Sequence, residues 1–306
     1  MGASNRSQQF VQLFKALKKA YKPFVPDKDM PLLDGLLFAA CLEDTPYTKA
    51  RKVFERIRRE FFDWNEVRVS SIRDLVEVMT ELPDPAAAAA RVKQTLQHVF
   101  ESRFSFDLEG LRKEKLKAVV AELQKIDGCD GFMISCVIQW QLQGHSIPLD
   151  RGALTVLNLL GLAREEDIQS GTVPGLERAI SKKDGCEFGS LLHELGAAYI
   201  ANPFSTNVRK FIVGLRPEAA ELLPTRRSAK RRRAAIEEKK AEKAKARRRK
   251  SDQEKTEEAE AVGKPADEKS TRKKAGSAEK RASSRKKAAS AKKTKKPAKA
   301  KKTAKK

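Results

Sequence analysis

Apolar residues recur at helical spacing through most of residues 1–215. Phe10 and Leu17 fall on one face of a predicted first helix, and residues 32–42 are apolar nearly throughout, which is typical of a buried helix. Asp84 before Pro85 is a strong start signal, because aspartate caps free N–H groups and proline suits the first turn. No segment alternates between apolar and polar residues as a strand would. The pattern therefore predicts an all-α body of roughly ten helices.

Residues 226–306 do not share this pattern. The chain has 64 Lys and Arg and 41 Asp and Glu, and residues 1–225 hold 30 of each sign. The other 34 basic and 11 acidic side chains carry the whole net charge of +23. Ile236 and Val262 are the only large apolar residues there, so burial cannot offset an ordering cost of about 1–2 kcal/mol per residue. We expect this tail to be disordered in isolation.

The Ala/Lys/Pro composition of the tail is similar to that of linker-histone carboxy-terminal tails. Each phosphate that a basic side chain neutralises releases counterions, which gives salt-sensitive affinity without sequence preference. We therefore expect binding to double-stranded DNA, with RNA, an anionic membrane surface or simple solubilisation as alternatives. The arginines of the two densest runs are the candidate DNA-binding residues of the tail: Arg231, Arg232, Arg233, Arg247, Arg248 and Arg249.

Cysteine spacing and hydropathy exclude several classes of protein. No apolar stretch reaches the about 18 residues that a membrane span needs, and the N-terminus lacks the apolar segment of a signal peptide. Cys41, Cys129, Cys136 and Cys186 form no C-x-x-C pair and no metal-like grouping with histidine, a pattern that favours reduced thiols in a cytosolic protein. We expect no membrane partner, no metal and no cofactor.

The stretch "KIDGCDGFMISCVIQW", residues 125–140, predicts a short hairpin that leads into an apolar helix. Gly128 and Gly131 bracket the turn and Lys125 precedes it, and in a DNA-gripping hairpin such glycines let backbone N–H groups approach a phosphate. Asp127 and Asp130 oppose that role, since each would repel a phosphate by about 1–4 kcal/mol. We expect a structural turn whose grip on DNA is weakened or lost.

The order of this hairpin, an apolar helix and "IPLDRGALTVLNLLGL" resembles the endonuclease III family of helix-hairpin-helix DNA glycosylases, from about Pro31 to about Phe211. Family members read roughly L-P-G-V-G-R-K-T-A-N, then an apolar helix, then V-D-T-H-V and R-L-G-L. The resemblance implies a two-lobed helical body. We predict three parts: an N-terminal helix and linker at 1–30, an endonuclease III-like domain at 31–215 with its hairpin at 126–132, and the disordered basic tail at 226–306.

Asp150 is the candidate catalytic residue. By the resemblance it matches the family's aspartate, which stabilises positive charge developing at C1′ of a flipped nucleotide or assists the attack of water or an amine. Its place before a predicted helix is equally consistent with an ordinary N-cap. Both interpretations stay open at the level of sequence.

Several other family positions differ. Phe132 stands where bifunctional members carry the lysine that forms a Schiff base, so we expect no lyase activity. Residues 195–212 contain none of the four cysteines that often hold an iron–sulfur cluster in this family. Cys41 is the nearest match to the glutamine that fills the gap left by a flipped base, and Gly152 replaces the histidine after the aspartate.

Three functions are compatible with these observations. The first is an endonuclease III-like DNA-binding protein of the base-excision repair type, with Asp150 as the residue of a monofunctional glycosylase if activity remains. The second is a non-catalytic DNA-binding or chromosome-associated protein on a glycosylase scaffold, and the third is a protein-interaction module. We expect a cytoplasmic monomer associated with the nucleoid or chromosome.

Overall fold

The computed structural model describes residues 3–226, which belong to one unit of the chain, Met1–Glu238. The predicted basic tail, with its six candidate arginines, lies outside the described residues. Within residues 3–226 every regular element is helical, so the prediction of an all-α body is confirmed. The elements are α1 Ala3–Ala20, α2 Leu32–Leu42, α3 Tyr47–Glu60, α4 Trp64–Val69, α5 Ile72–Val78, α6 Pro85–Arg103, a 3-10 turn Glu109–Lys113, α7 Leu116–Leu123, α8 Gly131–Trp140, α9 Arg151–Leu159, α10 Glu165–Ser170, α11 Leu176–Ala179, α12 Lys182–Ala201, α13 Thr206–Leu215 and α14 Ala219–Leu222.

Two hydrophobic cores divide this part of the chain into two lobes. The first lobe is built from α2 to α8, and α2 lies at its centre with all eleven residues buried. The second lobe is built from α9 to α14 together with α1. A helix that is apolar on all sides can be satisfied only inside a core, which is why residues 32–42 occupy the middle of the first lobe. The two-lobed helical fold implied by the resemblance is present.

Helix α1 packs in the second lobe although it begins the chain. Phe10, Leu13 and Leu17 are at most 1% exposed and lie in the same core as α9 and α12. The Phe14 and Phe188 rings meet edge to face at 5.6 Å between centroids. The division at residue 30 stays a prediction about domains, but the apolar face of α1 is covered by residues from the other end of the body.

Local capping explains where the helices of the site begin. The Asp84 carboxylate accepts a hydrogen bond from the Ala87 N–H at 3.0 Å with Pro85 in the first turn of α6, as the sequence predicts. Asp130 and Asp150 cap α8 and α9 in the same way. None of the helices in residues 3–226 is long and apolar enough to cross a membrane.

Candidate active site and hairpin

The hairpin between α7 and α8 is held against α6. Gly128 has φ +84°, and a Cβ there would lie 2.7 Å from the Arg91 carbonyl oxygen and 2.9 Å from Gln94 Cβ. The turn therefore needs glycine both for its backbone conformation and for its close approach to α6. Gly131 is different, because it is the first residue of α8, and a Cβ there would have no neighbour within 4 Å.

The two hairpin aspartates have partners within the protein. Asp130 accepts hydrogen bonds from the Met133 N–H at 2.9 Å and from Arg91 Nη1 at 2.7 Å. Asp127 is 83% exposed and lies 3.3 Å from Nδ1 of His98. The carboxylate of Asp130 thus takes the Met133 N–H and places a negative charge at the N-terminus of α8, where an anion would otherwise bind. The aspartates stabilise the turn from within, which explains their place in a hairpin of this shape.

Arg91 links the hairpin to the end of α2. Its guanidinium contacts the carboxylates of both Glu43 and Asp130, and all three side chains are partly buried. Burial raises the pKa of the Glu43 carboxyl, and the Arg91 guanidinium opposes that rise. An arginine can serve two carboxylates at once because its donors form a planar fork. This linkage fixes the hairpin beside the N-terminus of α9.

Asp150 is fully buried and both of its carboxylate oxygens are occupied. One oxygen accepts the Ala153 N–H at 2.7 Å and thereby caps α9. The other accepts the Asp44 N–H at 3.1 Å and lies 2.8 Å from Nδ1 of His193. The side chain of Asp150 is 0% exposed and that of His193 is 4% exposed. The arrangement is that of an internal ion pair around a helix cap.

His193 is held in one orientation. Its Nε2 donates to the Thr45 carbonyl oxygen at 2.8 Å, so Nδ1 faces the carboxylate of Asp150. Nδ1 is close to the carboxylate but poorly aligned for a linear hydrogen bond, so the contact is mainly electrostatic. Burial lowers the pKa of His193, but the nearby Asp150 carboxylate more than reverses this and the pKa is raised overall. A charged imidazole therefore neutralises the buried carboxylate.

Asp44 brings a second carboxylate to the same helix end. It accepts the Gly152 N–H at 2.7 Å and Arg151 Nε at 2.8 Å, with its own backbone at φ +56°. Burial raises the pKa of Asp44, the Asp150 carboxylate adds to the rise, and Arg151 opposes it. The N-terminal N–H groups of Gly152 and Ala153 are thus both taken by carboxylates of the protein.

The positions that differ from the family motif surround this pair. The Phe132 ring, 7% exposed, stacks on the His193 ring at 6.2 Å between centroids with an interplanar angle of 12°. A Cβ on Gly152 would lie 2.7 Å from the carbonyl group of Gly196, so α9 and α12 cross too closely for any side chain at 152. Cys41 is buried, and burial raises the pKa of its thiol to about 12. A phenylalanine, a close helix crossing and an inert thiol replace the family's polar groups.

The opening next to this site is small. A cavity of about 90 Å³ is lined by residues of α2, α6, the loops beside them and the first residue of α9, including Cys41, Asp44, Leu82, Arg91 and Arg151. Asp150 is not among the lining residues. The cavity therefore reaches Asp44 and Arg151 but not the carboxylate that the sequence singles out.

Comparison with known proteins adds one sequence relative. No family model matches the chain. A candidate DNA glycosylase of Arabidopsis thaliana is 24% identical over 168 residues, which are 54% of this chain and 56% of that protein. The chain thus spans about half the length of this curated relative.

In sequence, the chain is similar to a candidate DNA glycosylase.

Solved structures of this type superpose only loosely on the chain. A trapped endonuclease III–DNA covalent intermediate is 12% identical with a TM-score of 0.46, covering 63% of this chain and 84% of that one. A thermostable thymine-DNA glycosylase is 13% identical with a TM-score of 0.46, covering 70% and 97%. A Helicobacter pylori 3-methyladenine DNA glycosylase bound to 1,N6-ethenoadenine is 15% identical with a TM-score of 0.38, covering 70% and 95%.

The iron–sulfur cluster that often accompanies the endonuclease III-like fold does not fit the residues present. The chain has four cysteines, and none lies in residues 195–212. Cys41 and Cys136 are buried in the first core, and burial raises the pKa of both thiols. Within residues 3–226, no group of three or more His, Cys, Asp or Glu side chains is arranged to hold a metal ion.

The structure brings some of the sequence-predicted residues together and separates others. His193 contacts both Asp150 and Phe132, and Gly128 shapes the hairpin, whereas Gly131 is the first residue of α8 and nothing in its surroundings requires glycine. Lys125 is exposed and pairs with Glu122 at 2.6 Å, outside the buried network. The sequence did not identify the distant partners of Asp150, which are the His193 ring and the backbone N–H of Asp44, nor the pairing of Arg151 with the Asp44 carboxylate. A lone histidine on the apolar face of α12 was the available signal, since a buried histidine needs a partner.

Proposed function

We propose that this chain is a DNA-binding protein of the base-excision repair type in which Asp150 maintains the fold and performs no chemistry. The proposal rests on the burial of Asp150. Its side chain is 0% exposed, and its two oxygens accept the Ala153 N–H and the Asp44 N–H. Its sequence relative, a candidate DNA glycosylase, supports the repair-type assignment. We further propose that the protein is monomeric and associates with the nucleoid or chromosome.

Catalysis would require Asp150 to act on a flipped nucleotide. Glycosylases extrude the target base into a pocket and break its glycosidic bond beside the reactive groups. Here the carboxylate would first have to leave His193, and removing one member of a buried pair costs about 3–5 kcal/mol. Phe132, which stands at the position of the lysine of bifunctional enzymes by the resemblance, stacks on the His193 ring. These barriers favour a structural role.

Attraction to DNA is assigned to the basic tail. In the hairpin, the Asp130 carboxylate takes the Met133 N–H and would repel a phosphate from the N-terminus of α8. Residues 1–225 carry no net charge, whereas residues 226–306 carry the whole +23. Counterion release by such a segment gives binding without sequence preference. The candidate contacts are Arg231, Arg232, Arg233, Arg247, Arg248 and Arg249.

A monofunctional glycosylase that uses Asp150 is the second candidate. It is favoured by the position of Asp150 at the N-terminus of α9, directly beside the hairpin helix α8 through the Phe132–His193 stack. Such an enzyme would open the buried pair when DNA binds. Without a lysine at position 132 it would leave an abasic site and would not cleave the strand.

Base release by the full chain distinguishes the two candidates. Purified protein is incubated with duplexes that carry uracil, oxidised pyrimidines, alkylated bases or mismatched adenine, and released base is measured. We expect no release from any duplex. Release of any base by the intact chain would overturn the proposal that the protein performs no chemistry. Release that is lost in an Asp150→Asn variant shown to be folded by circular dichroism, and kept in Asp127→Asn, would assign that chemistry to Asp150.

A further inference from the structure

A second, larger cavity lies in the second lobe. It measures about 500 Å³, and none of its lining residues belongs to the hairpin or contacts Asp150. Three arginines from separate segments line it: Arg6 in α1, Arg164 at the start of α10 and Arg178 in α11. We call it the arginine cavity. Three cations brought to one cavity by three segments is an arrangement that the Asp150 site does not explain.

Arg6 is fixed in place by the body. Its Nη2 donates to the Leu162 carbonyl oxygen at 2.6 Å and lies 3.5 Å from the Asp167 carboxylate. Its guanidinium also lies 5.8 Å from the centre of the Phe10 ring. A guanidinium that is oriented beforehand loses less freedom when it binds a ligand. Arg6 therefore provides a preformed positive wall.

The lining favours anions. Within the described residues, the lining includes no acidic side chain. Asp167, the carboxylate that contacts Arg6, is buried and also accepts the Arg164 N–H at 2.8 Å. Glu165, Glu166 and Glu177 adjoin these arginines in the chain, but they are exposed and do not line the cavity. The charged side chains that line the cavity are therefore all cationic. Planar guanidinium groups bind phosphate oxygens in pairs with strong directional hydrogen bonds.

We propose that the arginine cavity binds a phosphate-bearing ligand. Its volume lies within the range of about 300–1,000 Å³ that is typical of small-molecule sites. This space exceeds what one phosphate needs, so the phosphate belongs to a larger molecule. That molecule is either a free nucleotide or a nucleic-acid strand, and both present the same phosphoryl oxygens. The proposal does not depend on the role of Asp150.

The test uses the full chain and two matched double variants. Arg164→Gln with Arg178→Gln removes two cavity cations, and Arg59→Gln with Arg73→Gln removes two arginines of the first lobe that are 72% and 86% exposed. ADP and a 12-base-pair duplex are titrated into each protein by calorimetry at one salt concentration. Both variants keep the basic tail, so its contribution cancels in the comparison.

We expect the cavity variant to lose at least tenfold in affinity for ADP while the control changes less than twofold. If the ligand is a strand, the cavity variant loses at least threefold for the duplex and ADP binding is equal in all three proteins. Equal affinities of all three proteins for both probes would overturn the proposal. Should the glutamine variant unfold, Arg164→Lys with Arg178→Lys keeps the charge, and its loss of paired hydrogen bonds should still weaken binding at least threefold.

Discussion

The buried pair of Asp150 and His193 determines what a substitution at residue 150 will do. Asp150→Asn keeps an oxygen that can cap α9 but leaves the buried His193 without its carboxylate partner. We expect the free energy of unfolding to fall by about 3–5 kcal/mol, the cost of breaking a buried pair. Urea denaturation of the full chain measures it. The control Asp127→Asn, at an 83% exposed position, should cost about 1 kcal/mol or less. A fall at position 150 no larger than the control would contradict the structural role.

The same pair predicts how stability depends on pH. The pKa of His193 is raised by Asp150 despite burial, so the folded protein holds this proton more tightly than the unfolded chain does. Its contribution is complete below the unfolded pKa of about 6.5 and is lost as pH rises through the folded value. We expect the urea midpoint to fall as pH rises from about 6.5, and His193→Gln to remove this dependence. If the urea midpoint of His193→Gln still falls with pH as in the wild type, the titrating proton belongs to another group.

The residues around Asp150 show what the sequence could and could not predict. Its role as a cap was open to prediction, because a cap bonds to a backbone group three residues away. Asp44 and His193 could not be assigned to it, since they lie far away in the chain. His193 meets Asp150 where α12 packs on α9, and Asp44 reaches it from the end of α2 in the first lobe. The glycine at 152 was seen as a lost histidine, whereas the structure explains it by the crossing with Gly196.

At the scale of elements, the N-cap residue Asp130 repels anions from the start of the hairpin helix α8. Asp130→Gly removes the carboxylate and the pair with Arg91, and glycine is itself a tolerated N-cap that costs only a few tenths of a kcal/mol. Phosphate can then reach the first N–H groups of α8 without repulsion from residue 130. We expect the affinity for duplex DNA to rise about fivefold at low salt. This change corresponds to about 1 kcal/mol, the low end of the repulsion between Asp130 and a phosphate.

Glu77→Gln is the control for this change. It removes one negative charge from α5, where the side chain is 66% exposed, and it leaves the hairpin intact. We expect it to alter DNA affinity by less than twofold, because an exposed charge away from the contact is screened by salt. Equal gains from Asp130→Gly and Glu77→Gln would show that net charge alone matters and that the hairpin has no specific effect.

At the scale of elements the fold itself was largely predictable. Helices such as α2 and α6 follow from apolar patterns and local caps, which need no knowledge of distant contacts. The short helices α4, α10, α11 and α14 have four to six residues and contain too few turns to show a helical period. The sequence therefore predicted about ten helices, fewer than the structure has between residues 3 and 226.

At the scale of the whole molecule, the net positive charge lies in residues 226–306 and not in the helical body. Residues 1–225 are balanced, so deletion of residues 226–306 should remove most of the attraction to DNA. We expect the dependence of log affinity on log salt to flatten toward zero, because each neutralised phosphate contributes about −0.9 to that slope. Fluorescence anisotropy over a salt series measures it.

A shuffled tail is the matched control for the deletion. A chain that keeps the composition of residues 226–306 in a different order should bind with the wild-type slope, since counterion release does not depend on sequence. Binding that survives the deletion unchanged across the salt series would show that the helical body holds the contacts.

The packing of α1 also constrains how the chain is made. On the ribosome α1 emerges before the rest of the body, but the core that covers Phe10, Leu13 and Leu17 is completed only by residues near 212–223, at the other end of that body. The first lobe can fold during synthesis, but the apolar face of α1 stays exposed to water until the second lobe is complete. Chains that expose such surface are prone to aggregate before completion. Newborn molecules of this protein should therefore depend on chaperones that shield an amino-terminal helix until translation of the body ends.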